Sequence, residues 1–127
     1  MSIPADRKYT SHDEWVLLDG DIATIGITDF AQDALGDLVF IDLPEAGATF
    51  AAGDALCEVE SVKAVAEVYA PVGGEVVAVN EELDGSEGTV NSDPYGAGWL
   101  LKLRVTDAAE LDALMDAAAY EAKVSES

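Results

Sequence analysis

One lysine stands out as a residue that could carry chemistry. Lys63 lies between Val62 and Ala64, between two valine-rich runs of the chain. The protein has only six lysine and arginine residues against 26 aspartate and glutamate residues, so a lysine with apolar neighbours is unusual here. An accessible primary amine is a potential nucleophile. We therefore expect Lys63 to have a role other than solubility.

The residues on both sides of Lys63 predict a β-hairpin that would hold its side chain outward. Residues 55–61 and 64–69 have the valine-rich composition of strands. Gly53-Asp54 marks the start of the first strand, and a proline follows the second. Only Val62 and Lys63 remain for the turn, so two rigid strands would position the amine.

Turn signals elsewhere divide the chain into short elements. Asp19-Gly20 between two apolar runs is typical of a hairpin turn. Thr28 or Asp29 is suited to cap a short helix that ends at about Leu35, with Gly36 as its stop. Beyond these elements we predict strands at residues 15–18, 22–27, 38–43, 75–79 and 99–105 and a long loop at residues 80–98.

The C-terminal region changes to a helical pattern. Asp107, followed three residues later by Glu110, is typical of a capping box. Apolar residues then recur at helical spacing. We therefore predict a C-terminal helix over about residues 107–121, with one face formed by Leu111, Leu114, Met115 and Ala118.

These elements together predict a mainly β protein. Short antiparallel strands with frequent turns are typical of a sandwich or flattened barrel, here with a short internal helix and a C-terminal helix. The length of 127 residues suits one domain covering residues 1–127. Half of the residues are hydrophobic, so we expect a packed core and not a disordered chain.

The composition further restricts the kinds of site that the protein could contain. His12 and Cys57 are the sole histidine and cysteine of the chain and lie far apart in sequence. We therefore assign no catalytic residue and no metal site, and we interpret Cys57 as a small buried side chain on a strand. No apolar run approaches the roughly 18 residues that span a bilayer, and the N-terminus has no apolar signal core. We therefore expect a cytoplasmic protein. Because no large exposed apolar stripe stands out in the sequence, we also expect a monomer.

The net charge of −20 disfavours binding to nucleic acid and to anionic membranes. Three explanations for this charge compete: a nucleic-acid mimic, a docking surface for basic partners, and adaptation to a high-salt cytoplasm. The acidic residues are spread along the whole chain, and lysine is scarce everywhere. This pattern favours salt adaptation, because strong salt screens the self-repulsion of such a surface.

The segment around the lysine resembles the attachment site of lipoyl domains. That site has a Gly-Asp turn, a strand ending in glutamate, a modified lysine, a return strand and a Pro-x-x-Gly-x-Val motif, and residues 53–76 match each part in order. Biotin carriers typically have methionine on both sides of the lysine, and lipoyl domains of 2-oxoacid dehydrogenases usually have aspartate before it. Glu60-Ser61-Val62-Lys63-Ala64 is instead similar to the H proteins of the glycine cleavage system.

The resemblance extends from about Tyr9 to Val105. The matching blocks, in the family's order, are Glu14-Trp15 and residues 23–32, 35–45 and 91–100. The chain also departs from the family pattern. His12 is displaced by one position, because Asp13 stands directly before Glu14-Trp15; Phe30 lies where the family often has histidine or tyrosine; and a histidine seen in some members near Ala34 is missing.

The resemblance implies a hybrid barrel-sandwich fold and a carrier without catalysis of its own. Lipoic acid would be attached covalently to Lys63 by a lipoate ligase or lipoyl transferase. The enzyme would recognise the hairpin through Glu60, Ser61, Val62 and Ala64.

The resemblance also implies three partner enzymes. Glycine decarboxylase (the P protein) would load an aminomethyl group, and the tetrahydrofolate-dependent aminomethyltransferase (the T protein) would remove its one-carbon unit. Dihydrolipoyl dehydrogenase (the L protein) would then reoxidise the dithiol. In the family the loaded arm folds into a surface cleft, and because its amine is cationic, carboxylates should line that cleft. By position, Glu14 and Glu67 are the candidates.

Three other functions stay open at this point. The chain could be a lipoyl domain of a 2-oxoacid dehydrogenase complex or a lipoate store. It could be a biotin carrier, although Val62 and Ala64 argue against that. It could also be an unmodified interaction domain with an acidic face.

Overall fold

The computed structural model describes residues 2–126, which form two antiparallel sheets with short helices between and after their strands. The strands are β1 (Lys8–Tyr9), β2 (Glu14–Asp19), β3 (Ile22–Ile27), β4 (Leu38–Asp42), β5 (Thr49–Phe50), β6 (Ala55–Ser61), β7 (Val65–Tyr69), β8 (Gly74–Val79) and β9 (Leu101–Val105). The α-helices are α1 (Asp29–Leu35), α2 (Gly88–Ser92) and α3 (Ala117–Ser125), and Glu81–Leu83 and Ala108–Ala113 form 3-10 helices.

The two sheets enclose an apolar core, and a second buried cluster is formed by Tyr9, Trp15 and Tyr120. The larger sheet has the strand order β1-β2-β3-β9-β8-β5, and the smaller has the order β4-β6-β7. Ile25, Val59 and Leu103 are at most 1% exposed and belong to the core between the sheets. Burial of apolar surface, at roughly 25 cal/mol per Å², is the main force that holds such sheets together. The predicted mainly β fold with antiparallel strands is confirmed.

The short internal helix has the ends that the sequence predicted. The Thr28 hydroxyl accepts a hydrogen bond from the backbone amide of Ala31 at 3.2 Å, which satisfies one of the unpaired amides at the start of α1. Gly36 ends the helix with a φ of +82°, a conformation that favours glycine. These local signals place α1 directly before β4, an edge strand of the smaller sheet.

The predicted C-terminal helix over residues 107–121 is wrong in its bounds. Ala108–Ala113 form a 3-10 helix, the chain is then extended, and α3 begins after Asp116. A long-range contact causes the break: Tyr9 and Met115 exchange two backbone hydrogen bonds of 2.8 and 2.9 Å, and this pairing requires an extended backbone. Leu111 and Met115 therefore do not share the face of one helix.

The predicted capping box is also only half formed. The Asp107 carboxylate accepts a hydrogen bond from the backbone amide of Ala109 at 3.1 Å. The Glu110 carboxylate accepts one from the amide of Gly73 at 2.9 Å instead of reaching back to Asp107. Glu110 thus fixes the turn before β8.

The predicted loop over residues 80–98 contains the 3-10 helix Glu81–Leu83 and the helix α2. The Asn91 side chain on α2 donates a hydrogen bond to the carbonyl of Gly36 at 2.8 Å and accepts one from the amide of Leu38 at 3.0 Å. Helix α2 is therefore packed on the connection between α1 and β4. None of the helices within residues 2–126 is long and apolar enough to cross a membrane.

Candidate functional site

Strands β6 and β7 form the predicted hairpin, and Lys63 lies at its tip. The turn contains Val62, Lys63 and Ala64, one residue more than predicted. The Ser61 hydroxyl organises it by accepting hydrogen bonds from the backbone amides of Lys63 at 3.3 Å and Ala64 at 3.0 Å. Ser61 is buried, whereas Lys63 is exposed. A fixed backbone therefore presents the amine to solvent.

The connection between α1 and β4 supports the hairpin tip. The amide of Val62 donates a hydrogen bond to the carbonyl of Asp37 at 3.1 Å. The stem of Lys63 lies over Gly36, since a Cβ at that glycine would be 3.4 Å from Lys63 Cε. Asn91 holds the same connection through its bond to Gly36. Contacts from the α1–β4 connection, which α2 holds in place through Asn91, therefore restrict the position of the lysine.

Exposed apolar side chains lie at the hairpin tip and on the neighbouring strand β4. Among residues 2–126 the large apolar side chains with high exposure are Val39 at 51%, Phe40 at 52%, Val62 at 71% and Val65 at 56%. Phe40 and Val65 are both in register with Glu60 on the central strand β6, so these side chains share a face of the smaller sheet. We call the four residues the apolar collar. Apolar groups gathered in one exposed place are typical of a contact surface.

Glu14 lies at the start of β2 and is only 1% exposed. Its carboxylate accepts hydrogen bonds from the Thr10 hydroxyl and, at 3.0 Å, from the backbone amide of Tyr69. Burial raises the pKa of the Glu14 carboxyl, and these two hydrogen bonds oppose the shift because they stabilise the charged form. The structure thus places this carboxylate in the protein interior, beneath β7.

Tyr69 links Glu14 to Glu67. Its backbone amide binds Glu14, and the charge of Glu67, together with a hydrogen bond between the two side chains, raises the pKa of the Tyr69 hydroxyl. The ring of His12, the displaced histidine, packs against the Tyr69 ring with centroids 4.8 Å apart. The two carboxylates proposed from sequence therefore converge on one residue, although Glu14 is buried and Glu67 is exposed.

Three carboxylates lie side by side on the outer face of the smaller sheet. Asp42, Glu58 and Glu67 are cross-strand partners on β4, β6 and β7, and all three are exposed. They line a pocket of about 230 Å³ together with Ala55, Leu56 and Cys57. Like charges directly opposite one another on a sheet repel, so we expect this carboxylate row to destabilise the fold.

Cys57 has the properties of a packing residue. It is 8% exposed on β6, and burial raises the pKa of its thiol to about 12. A thiol with that pKa stays protonated and is a poor nucleophile at neutral pH. The interpretation of Cys57 as a small buried side chain is confirmed.

The sequence analysis assigned no role at the site to five residues that support it, although it predicted Gly36 as the stop of α1. These residues are Thr10, Asp13, Gly36, Tyr69 and Asn91. Thr10 had a local signal, because a threonine just before a turn can bind the following backbone amides. Asn91 and Tyr69 had no local signal, since their partners at Gly36 and Glu14 are 55 residues away in each case.

A mainly β fold that presents one exposed lysine on a rigid hairpin defines a carrier protein of the lipoyl-domain class. The profile of the family described as "Glycine cleavage H-protein" matches residues 7–127. The chain is 54% identical over 125 residues to the glycine cleavage system H protein of Beutenbergia cavernae, covering 98% of each chain. It is 58% identical over 120 residues to that of Phenylobacterium zucineum, covering 94% of this chain and 99% of the other.

A solved structure agrees with these relatives. The crystal structure of a glycine cleavage system H protein from Mycobacterium marinum matches with a TM-score of 0.89 at 41% identity, covering 97% of this chain and 99% of the other. The chain therefore belongs to the glycine cleavage H-protein family. Its function is that of the lipoyl carrier of the glycine cleavage system, and its cofactor is lipoic acid.

Proposed function

We propose that Lys63 is the residue that carries lipoic acid, through an amide bond to its Nζ. The hairpin is the observation that supports this assignment, because it exposes Lys63 on a fixed turn. The other lysines lie within regular elements: Lys8 in β1, Lys102 in β9 against the ring of Trp99 at 5.1 Å, and Lys123 in α3 with its Nζ 3.1 Å from Asp13.

The hairpin suits a cofactor that must move while its base stays still. When bound, lipoic acid supplies a dithiolane on a long flexible arm, and that group carries the one-carbon chemistry. The Ser61 hydroxyl and the Val62–Asp37 hydrogen bond hold the attachment point. Motion is then confined to the arm, which keeps its effective concentration at a docked enzyme high. We infer that the protein is a non-catalytic carrier.

We infer that the partners are the P, T and L proteins of the glycine cleavage system, and that a lipoate ligase or lipoyl transferase recognises the hairpin. The apolar collar supports this inference, because exposed apolar side chains close to Lys63 are typical of a contact surface. The recognition residues would be Glu60, Ser61, Val62 and Ala64. The net charge of −20 favours partners with basic contact surfaces over nucleic acid or anionic membranes.

We further infer that Glu14 and Glu67 hold the loaded aminomethyl group. That group is cationic, and both carboxylates belong to the cluster around Tyr69. Glu67 is exposed and can meet the arm directly, whereas the position of Glu14 is fixed by two hydrogen bonds. A carboxylate held in a poorly solvated site attracts a cation more strongly than one in bulk water.

The carrier function is tested by reconstitution. Lipoylated protein is mixed with the P, T and L proteins, glycine, tetrahydrofolate and NAD⁺, and NADH formation is followed. We expect glycine-dependent NADH with native protein and with Lys8→Arg, and none with Lys63→Arg. Activity only with the components of a 2-oxoacid dehydrogenase would contradict the assignment, as would a positive avidin blot or protein that resists lipoylation.

The roles of Glu14 and Glu67 are tested separately. Protein loaded with the aminomethyl group is isolated, and the release of that group into water is timed for native protein, Glu14→Gln and Glu67→Gln. We expect a lifetime several-fold shorter in both variants. Glu82→Gln is the matched control, because it removes an exposed charge from the 3-10 helix Glu81–Leu83, outside the sheet that carries Glu67 and the Tyr69 cluster. Unchanged lifetimes in both variants would reject the assignment.

The cytoplasmic location, the monomeric state, the single domain over residues 1–127 and the adaptation to high salt stay predictions. Each rests on the amino-acid sequence alone.

A further inference from the structure

We propose that the C-terminal helix α3 is a positioning element for the loaded arm, because its side chains fix the turn that carries Glu14. The proposal rests on the role of Glu14 proposed above. It assigns Asp13, Tyr120 and Lys123 as positioning residues that act through Glu14 and do not themselves touch the arm.

The backbone of Asp13 has an unusual conformation. Its φ is +69°, and no other non-glycine residue within 2–126 has a positive φ. The left-handed region disfavours side chains with a Cβ, by about 1 kcal/mol or more, although aspartate tolerates it better than most. Such a conformation persists only where the surroundings enforce it. Because Glu14 follows directly, the conformation of Asp13 sets the direction in which Glu14 leaves the turn.

Backbone contacts hold Asp13 on both sides. Its amide donates a hydrogen bond to the carbonyl of Thr10 at 3.2 Å, and its carbonyl accepts one from the amide of Thr28 at 3.0 Å. Thr28 is also the residue that caps α1. The turn is therefore joined to the start of α1 by its backbone.

The side chain of Asp13 is held by α3. Its Oδ1 accepts hydrogen bonds from the Tyr120 hydroxyl at 3.0 Å and from Lys123 Nζ at 3.1 Å. The Tyr120 hydroxyl also lies 2.6 Å from Thr28 Oγ1. Tyr120 is fully buried and stacks on Tyr9 with ring centroids 4.8 Å apart, so its hydroxyl has a fixed position.

The turn passes this constraint on to the Glu14 carboxylate. The Thr10 hydroxyl accepts a hydrogen bond from the amide of Glu14 at 3.2 Å and donates one to the same residue's carboxylate. The second carboxylate oxygen accepts from Tyr69 at 3.0 Å. A path of hydrogen bonds thus leads from α3 through Asp13 to the residue proposed to hold the aminomethyl group.

Two stacked tyrosines provide a matched test. Tyr120→Phe removes the hydroxyl that binds Asp13, whereas Tyr9→Phe removes one that binds the carbonyl of Pro4; both keep the aromatic stack. We expect Tyr120→Phe to shorten the lifetime of the loaded aminomethyl form by roughly threefold or more, the size expected from one lost hydrogen bond. Tyr9→Phe should leave that lifetime unchanged. Both variants should accept lipoic acid at the native rate.

Hydrogen exchange gives a second readout that does not depend on the cofactor. We expect the Tyr69 amide, which binds Glu14, to exchange several-fold faster in Tyr120→Phe relative to the core amides of β3. A general loss of stability would accelerate both sets alike. The lifetime and the exchange rate in Asp13→Asn should stay closer to the native values than those in Asp13→Ala, because asparagine tolerates the left-handed region and keeps an acceptor oxygen. If Tyr120→Phe does not fold, Lys123→Gln serves in its place, with the same direction of change.

The outcomes separate this proposal from the one it rests on. Identical lifetimes and exchange ratios for Tyr120→Phe and Tyr9→Phe would overturn the positioning role of α3. If Glu14→Gln itself leaves the lifetime unchanged, the proposed role of Glu14 fails. In that case the Tyr69 exchange ratio still decides whether α3 positions the carboxylate.

Discussion

Two turns of this protein are built in the same way and present their charged residues differently. We call them the lysine turn (residues 61–64) and the glutamate turn (residues 10–14). In each, the hydroxyl of the first residue accepts hydrogen bonds from two later backbone amides, at 3.3 and 3.0 Å in the lysine turn and at 3.2 and 3.2 Å in the glutamate turn. Such bonds fix a tight turn without regular secondary structure.

The difference lies in what surrounds the charged side chain. Lys63 is exposed beside the apolar collar, while Glu14 is 1% exposed and bound by Thr10 and Tyr69. An attachment point must be reachable by several enzymes, and a rigid but exposed turn meets that need. In its proposed role Glu14 holds a cation, which a carboxylate in a poorly solvated place attracts more strongly. Its two hydrogen bonds offset only part of the cost of burying the charge, because its pKa is still raised.

The largest effect is expected from a substitution that removes the primary amine of the lysine turn. Lys63→Arg should abolish lipoyl incorporation, a loss of at least about a thousandfold, because the guanidinium group stays charged and is not acylated. Stability should change by less than about 0.5 kcal/mol, since the side chain is exposed. Intact mass after incubation with lipoate ligase, ATP and lipoate measures the result, with Lys8→Arg as the control. A lipoyl group on another lysine of Lys63→Arg would contradict the assignment.

Removing the Thr10 hydroxyl of the glutamate turn tests how far the buried Glu14 carboxylate depends on its hydrogen bonds. Thr10→Val should lower the free energy of unfolding by about 2 kcal/mol, because the buried Glu14 carboxylate loses a donor. Urea unfolding measures the loss. Thr10→Ser keeps the hydroxyl and should stay much closer to the native protein. Equal losses in the two variants would show that the hydroxyl is not the cause.

The pH dependence of stability tests the burial of Glu14 directly. Burial raises the pKa of its carboxyl, so the folded protein keeps this proton at pH values where the unfolded chain has released it. The stability from protonated Glu14 is present below the ordinary glutamate pKa of about 4.3 and is lost as the pH rises through the raised value. Relative to Glu14→Gln, the native protein should therefore lose stability as the pH rises from about 4 through the raised pKa of Glu14.

Urea unfolding of both proteins across this range measures the effect. The other carboxylates are common to both chains and cancel in the difference. A stability difference that stays constant or grows with pH would mean that the carboxyl is not buried as described.

The corresponding change in the lysine turn should be smaller. Ser61→Ala removes the acceptor for the amides of Lys63 and Ala64, and we expect a stability loss of about 1 kcal/mol or less, because no buried charge depends on this hydroxyl. A looser turn should also slow lipoylation a few-fold. Ser92→Ala, at an exposed serine of α2, is the control. A loss as large as that of Thr10→Val would remove the distinction between the turns.

The smallest effect is expected at the carboxylate row, which lies on the same sheet as the lysine turn and includes Glu67. Glu58→Gln removes the central charge between Asp42 and Glu67 and should stabilise the protein by about 0.5 kcal/mol at low salt. The gain should vanish in 1 M KCl, where the screening length is about 3 Å. Glu82→Gln is the exposed control.

Salt adaptation is tested on the native protein, whose melting temperature should rise steeply from low to molar salt. A melting temperature that stays flat over this range would reject salt adaptation.

The features that the sequence predicted are those with local causes. The cap at Thr28 and the stop at Gly36 define α1 within nine residues of chain. The two strands of the lysine hairpin follow one another in the sequence and are joined by a short turn. Strand composition and turn residues are sufficient for such elements. The lysine turn could therefore be located before any coordinates were known.

The features that could not be predicted depend on distant partners. Met115 is extended because it pairs with Tyr9, and this pairing divides the predicted C-terminal helix. Helix α2 is held by the bonds of Asn91 to the α1–β4 connection. Asp13 is held by Tyr120, 107 residues away. The glutamate turn belongs to this second group, so its position came from family resemblance and its burial from the structure.

The most direct measurement of the central claim is the intact mass of the native protein, with peptide mapping across residues 56–69. We predict one lipoyl group, located on Lys63. An unmodified Lys63 that persists after incubation with lipoate ligase, ATP and lipoate in high salt would contradict the account.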